Sequence, residues 1–497
     1  MHNRYLYCPA CAKRLSAQSG LMGCPASRAG EEHALIPMGP AVRVAPGVLV
    51  DGLQPFFRSC AAFAHGFAFA SILKPDAYEQ LLGDLEAALE RWEGQRPQVT
   101  PLVRAGALAE AVGHGGPLWV KDETGFIAGS HKARHLLATL LYLEGMRRLS
   151  GSAERAALAI YSCGNAALAA AAVARAGGYS LRAFVPEGVD PVVEAMLRER
   201  GARVAKRGRR PGDPPGDPCY HAFRAALRQG HVAFSCSGSD NWSNIEGGET
   251  LGLEMILQLR GQGAVCDHLV VQVGGGALAR CLVRALAKMR RGGVLSVLPR
   301  VHACQAQGGF PFVRAYLLAL RELSALFDLP FDLEWPQNAA PLERIRLLQH
   351  FESGMSGQIS RVAEQVRTLF HTPLVQAWVG SLPMRRGAFM RPWDGPLPSS
   401  LADGILDDET YDWYELLLGM LESGGQAVIA TETDILQAKR LADRATGMHV
   451  SATGAAGLAG LLVLQRRGCI AKNDSVGLLF TGVDRSTTRW PGPGHRR

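Results

Sequence analysis

Lys132 stands in KDETGFIAGSHKARH, directly after a strand pattern and a Gly-Ser turn, at the first turn of a predicted helix. The helix dipole disfavours an ammonium at that end, so the amine there is the more nucleophilic, as imine formation with an aldehyde requires. A second strand runs out into Ser162-Cys163-Gly164-Asn165 ahead of an Ala-rich helix pattern. The open amides of such a helix start suit a carboxylate, and the Asn165 side chain can donate to a ring hydroxyl; N-capping by Ser162 or Asn165 accounts for the segment equally well. A third strand delivers Gly274, Gly275 and Gly276, then Ala277 and Leu278, to another helix start. Glycines let the backbone approach a phosphate closely, and the dipole there favours the anion. A fourth strand, LLFTG, ends at Thr481-Gly482, which is either a neutral hydroxyl offered to a ligand or a plain turn.

The glycine run also fits the dinucleotide pattern, which needs an acid roughly 20 residues further on to hold the ribose. No Asp or Glu stands between Gly276 and Phe310, so a nicotinamide-dependent oxidoreductase is disfavoured. Together the four segments supply what pyridoxal 5'-phosphate (PLP) needs: an amine for its aldehyde, amides for its phosphate, a donor for its ring oxygen and a group for its pyridine nitrogen. A neutral hydroxyl at that nitrogen leaves it unprotonated. The ring then withdraws electrons less strongly, which suits elimination at the β carbon more than long-lived carbanions.

These residues need elements to hold them. From Thr100 the chain alternates between strand and helix patterns: LWVKDE, KARHLLATLLYLEGM, AALAIYS, AALAAAAVARAGG, LRAFVPE, PVVEAMLRERG, ARVAK. The alternation predicts parallel sheets with helices on both faces. A second series starts at DHLVVQVGGGALARCLVRALAKMRR, and a third closes the chain through SATGAAGLAGLLVLQRRG and SVGLLFTG. The expected organisation is a Cys-rich segment over 1–35, an N-terminal extension over 36–96 containing the helix pattern YEQLLGDLEAALERWEG, and a catalytic domain over 97–497. Within the last, a small mobile subdomain of about 128–245 and a mainly helical insertion of about 320–400 are expected.

The ordered set TPL, GSHKAR, SCGN, NIEGGETLGLE, GGGAL, SATGAAGLA and LLFTG resembles the fold type II PLP enzymes: threonine synthase, serine/threonine dehydratase and the tryptophan synthase β chain. The likeness runs from about Pro97 to Arg489. It implies an α/β fold of two doubly wound parallel-sheet subdomains with PLP in the cleft between them, and a homodimer. It further implies Lys132 as the Schiff-base lysine and general base, Asn165 on the ring oxygen, Gly274 to Leu278 around the phosphate and Thr481 at the pyridine nitrogen. Ser130, Ser162, Cys163 and Gly164 are expected to meet the substrate. Three departures stand out: His131 where synthases and dehydratases usually have Phe, Ala-Ala after Asn165, and Ala277 where the glycine loop usually continues. The implied activity is elimination or replacement at the β or γ carbon of an amino acid such as threonine, serine or O-phosphohomoserine, by an ammonia-lyase or a threonine synthase. A low-turnover PLP-binding protein or specialised-pathway partner is the alternative.

Composition is compatible with this. A chain of 497 residues, 47% hydrophobic and 20% charged, buries a large core. No apolar run reaches the roughly 18 to 20 residues of a bilayer span, and the start lacks a signal-peptide pattern, so a cytoplasmic location without membrane contact is expected. The net charge of +8 is scattered among acids except in RVAKRGRR (203–210) and the GHRR tail, so no nucleic-acid partner is expected. Most cysteines, among them Cys266, Cys281 and Cys304, sit singly in apolar segments, as reduced core thiols do. Cys8-Pro-Ala-Cys11 instead has zinc-knuckle spacing, but the second pair reads Cys24-Pro-Ala-Ser27, one ligand short. His33 completes a Cys3His set if a zinc is bound; a cofactor-free ribbon is the other reading, and either is structural.

Overall fold

The structure is a computed structural model that describes residues 5–39, 75–162, 164–214, 216–333, 340–393 and 399–485. Three short strands, β1 (Tyr5–Tyr7), β2 (Arg14–Leu15) and β3 (Ile36–Met38), form an antiparallel N-terminal sheet in the order β2-β1-β3. The expected helix over YEQLLGDLEAALERWEG spans Pro75–Glu93.

The body contains two further sheets. In chain order their strands are β4 (Leu102–Arg104), β5 (Leu118–Asp122), β6 (Leu158–Tyr161), β7 (Leu181–Pro186), β8 (Arg203–Arg207), β9 (Val232–Ala233), β10 (His268–Gln272), β11 (Arg300–Ala306), β12 (Ala427–Ala430) and β13 (Val476–Phe480). The larger sheet has the order β12-β11-β10-β13-β5-β4 and the smaller β8-β7-β6-β9. Every pairing in both is parallel except β4 with β5, where β4 runs antiparallel at the edge. All five residues of β10 and of β13 are buried, the pattern of strands covered on both faces. The fold is the expected α/β type with two parallel-sheet units. The described part of 341–389 adds helices Pro341–Gly354, Ser356–Leu369, Pro373–Ser381 and Arg386–Phe389.

One glycine-bearing motif is explained by close packing. Helix Ser243–Gly261 carries NIEGGETLGLE across helix Lys132–Ser150: a Cβ on Gly247 would overlap the Arg134 carbonyl oxygen, and one on Gly248 would overlap the His135 ring. Glu254, further along the same helix, meets Arg134 at 3.1 Å and Lys121 at 2.5 Å, and Arg134 meets Glu123 at 2.8 Å. This buried network fixes the helix that begins at Lys132 against β5.

Candidate active site

Parallel strands end on one edge, and four of those ends carry the singled-out residues. β5 leads through a tight turn to Lys132, β6 to Ser162, β10 to Gly274 and β13 to Thr481. Before Lys132, Ala128 and Gly129 both have left-handed φ, +55° and +70°, and Ser130 bridges to Gly482. A non-glycine residue held there stores strain of the kind found at working sites. Helix Lys132–Ser150 starts at the lysine itself.

Asn165 begins helix Asn165–Gly177, and the N-cap position is Gly164 with no side-chain cap; Ser162 Oγ only accepts from the Gly164 amide at 3.3 Å. Capping therefore does not account for the motif, and the first-turn amides stay open. Cys163 lies outside the described residues. Arg485 donates to Asn165 Oδ1 and, at 2.7 Å, to the Ala128 carbonyl. This guanidinium fixes the amide's orientation: Oδ1 is taken, so Nδ2 remains to donate into the cleft. A Cβ on Gly482 would collide with that Nδ2, which is why glycine follows Thr481.

Gly276 has φ +90° and precedes helix Ala277–Arg291, which again has no side-chain cap. Ala277 is already helical, so the shorter glycine run still ends in a helix start. A Cβ on Gly276 would meet Thr410 at 2.7 Å, and one on Gly274 would meet Asp407 Oδ2 at 2.5 Å. Thr481 is buried, and its Oγ1 accepts from Gln272 Nε2 at 2.7 Å. Its own proton is thus left for an acceptor in the cleft.

The electrostatics favour a ligand here. Burial beside Lys132 pushes the His131 imidazole well below its usual range, so it is neutral. Its Nδ1 faces the Thr481 carbonyl at 3.1 Å, which makes Nδ1 the protonated nitrogen. Nε2 of His131 and the hydroxyl of Ser130 are buried without a hydrogen-bond partner among the described residues. Asp407, on the segment packed over the glycines, is pushed up by burial to about 6 against the pull of nearby Lys132 and the Gly275 amide. Tyr161 at the end of β6 packs against Tyr220 (4.8 Å between centroids), Phe223 (5.0 Å) and Tyr411 (5.9 Å), an aromatic wall joining the two sheet units.

Sequence reasoning missed Gln272, Asp407, Arg485 and this wall. Each acts through partners more than 50 residues away in the chain, and none carries a motif; only Gln272, a polar residue directly after the apolar run Leu269 to Val271, left a local signal. On the N-terminal ribbon, Cys8, Cys11, Cys24 and His33 bring their ligand atoms within 4.8 Å of one another.

Fold and cleft together resemble those of the fold type II PLP-dependent enzymes. Residues 95–324 match the family described as pyridoxal-phosphate dependent enzyme. Among solved structures, a threonine deaminase from T.th. is 22% identical with a TM-score of 0.52, covering 82% of this chain and 99% of that one. The L-serine ammonia-lyase of Rhizomucor miehei is 15% identical with a TM-score of 0.51, covering 78% and 94%. Maize serine racemase is 16% identical with a TM-score of 0.51, covering 82% and 94%. At these identities the likeness establishes the fold. No curated protein matches the sequence.

The residues fit the cofactor this family uses. The orphaned polar atoms beside Lys132 and the uncapped glycine cradle leave donors and acceptors that the fold does not consume. No helix among the described residues is long and apolar enough to cross a membrane.

Proposed function

We propose that this protein is an amino acid lyase or synthase that eliminates or replaces a group at the β or γ carbon of threonine, serine or O-phosphohomoserine. The observation that supports the reading is Thr481: its oxygen accepts from Gln272, which leaves its own proton free, and a neutral donor of this kind at the ring nitrogen would replace the carboxylate that keeps that nitrogen protonated.

PLP, when bound, would be held by Lys132, Asn165, the amides from Gly274 to Leu278 and Thr481, and it supplies an electron sink for the substrate's α carbon. The chain's own residues do the rest. The uncapped first-turn amides of the helix that begins at Asn165, with the Ser130 hydroxyl, hold the substrate carboxylate. Lys132 Nζ would serve as the base that takes the α proton. Burial raises the Asp407 pKa to about 6, so a minor protonated fraction persists near neutrality, and the group stands near Lys132 where a departing hydroxyl or phosphate needs a proton. Tyr161, Tyr220 and Tyr411 exclude water from the cleft.

Incubating the PLP-loaded protein with serine, threonine, cysteine and O-phosphohomoserine, and following keto acid, ammonia and phosphate, tests the reading. Keto acid with equimolar ammonia marks the lyase; phosphate release with threonine formation marks the synthase. Turnover of all four no faster than by free PLP, or conversion to the D-amino acid alone, would refute it.

A further inference from the structure

We propose that Cys8, Cys11, Cys24 and His33 bind one zinc ion, with Glu31 as the outer partner of the histidine, and that this ion braces the cleft from outside. The four ligands come from three places in the chain. Cys8 and Cys11 lie on the turn between β1 and β2, where Ala12 takes φ +55° and Cys8 N–H donates to the Lys13 carbonyl. Cys24 opens a second turn closed by the Ser27 amide, and His33 directly precedes β3. All four ligand atoms fall within 4.8 Å of one another.

The spacings are those of a tetrahedron. With Zn–S near ~2.3 Å and Zn–N near ~2.05 Å, two sulfurs stand about 3.8 Å apart and a sulfur and nitrogen about 3.6 Å apart. Cys11 and Cys24 Sγ are 3.7 Å apart, and Cys8 Sγ is 3.3 Å from His33 Nδ1. The second, independent sign is Glu31: its Oε2 lies 2.6 Å from His33 Nε2, so the imidazole presents its Nδ1 lone pair to the sulfurs while Nε2–H is held by a carboxylate. Histidines that bind metal are commonly oriented in this way. Three thiolates and one imidazole select zinc among the common divalent ions, and four protein ligands leave no open position for catalysis.

The ribbon's contacts say what the ion would do. The Ala17 carbonyl accepts from Tyr142 Oη at 2.9 Å, on the helix that begins at Lys132. The Leu21 carbonyl accepts from Trp242 Nε1 at 2.8 Å, and the Pro37 carbonyl from Arg284 at 2.6 Å, the latter on the helix that begins at the glycine cradle. A metal that fixes the ribbon therefore ties the amine-bearing helix to the cradle helix.

Elemental analysis of the full-length protein should find one zinc per chain. Exchange with Co2+ should give visible ligand-field bands of a tetrahedral ion together with near-ultraviolet thiolate-to-cobalt charge transfer. Cys11→Ser and His33→Gln should lower zinc content, and Glu31→Gln should keep it with affinity weakened about 10- to 100-fold. Chelation should lower the Tm and loosen PLP retention without changing which products form. The cobalt spectrum needs no variant, so a misfolded mutant leaves the test intact. A full-length chain that takes up neither ion, a Cys11–Cys24 disulfide in a non-reducing peptide map, or unchanged zinc content in Cys11→Ser would overturn the site. An unchanged Tm on chelation would overturn the bracing role.

Discussion

Two residues after Lys132 the chain turns away from the cleft, and two residues before it the chain faces in; the two sides are built on opposite terms. Behind, Arg134 is fully buried and all three of its guanidinium nitrogens are hydrogen-bonded, to Glu123, Glu254, Thr100 and Thr250. In front, the Ser130 hydroxyl and His131 Nε2 are equally buried and unpaired among the described residues. A buried charge without a partner is too costly to leave, whereas an orphaned neutral polar atom costs only about 1–3 kcal/mol and persists until a ligand completes it. The paired side serves the fold, and in the proposed function the unpaired side is the one left for cofactor and substrate.

The largest effect that follows is on covalent attachment. Lys132→Ala should abolish the visible absorbance of lysine-bound PLP and the adduct that borohydride traps, because no second amine replaces it in the cleft. A reducible adduct at another lysine in the unmutated protein would remove Lys132 from its role.

Next comes the contrast in stability. Glu254→Gln leaves Lys121 and Arg134 with an uncompensated buried charge and should cost about 3–5 kcal/mol of unfolding free energy. Ser130→Ala, on the other side, removes an unpaired hydroxyl and should leave the stability of the cofactor-free protein within about 0.5 kcal/mol of wild type while weakening substrate binding. Comparable losses in urea denaturation for both variants would break the distinction.

A third effect is pH-dependent and smaller. The Asp407 carboxyl is raised from 3.8 to about 6 in the folded chain, mainly by burial. Below pH 4 both states are protonated and the group contributes nothing. Between about 4 and 6 the unfolded chain ionises first, so this group lowers stability as pH rises, and the cost is complete above about 6. Asp407→Asn lacks it and should gain about 3 kcal/mol relative to wild type between pH 4 and pH 8. Parallel pH profiles of the two proteins would contradict the raised pKa.

The comparison also explains what the sequence disclosed. Strand ends with glycines, a lysine at a helix start and an Ala-rich helix are local patterns, because backbone amides and dipoles belong to single segments; Lys132, Asn165, Gly274 to Gly276 and Thr481 were legible for that reason. What completes them is not local. Arg485 reaches Asn165 across 320 residues, Gln272 reaches Thr481 across 209, and Tyr411 meets Tyr161 from the far side of the helical segment. The proposed zinc ligands sit between these cases: CxxC marks Cys8 and Cys11, Cys24 carries half of a second pair, and His33, already a candidate in the sequence, is seated on Glu31 by the fold. Residues 36–39 form β3 and its exit, while the rest of the expected extension up to 74 lies outside the described residues.

The smallest effect concerns Thr481, and it decides whether the unpaired side is tuned for elimination. Gln272 Nε2 occupies one lone pair of the Thr481 oxygen at 2.7 Å, so the hydroxyl proton is directed elsewhere. Thr481→Ser keeps that geometry and loses a methyl group, and should retain most activity, within about threefold, since the lost contact is worth under about 1 kcal/mol. Thr481→Asp places a carboxylate on the Gln272 amide, where it would draw a proton onto the pyridine nitrogen and strengthen electron withdrawal from the α carbon. Its turnover should be slower and its products should include racemised or transaminated substrate. If Thr481 merely shapes the turn, the Asp variant would lose folding or PLP retention and show no new product. If it stays folded, binds PLP and keeps the wild-type spectrum and product distribution, then Thr481 does not face the ring nitrogen, and the preference for elimination has another source.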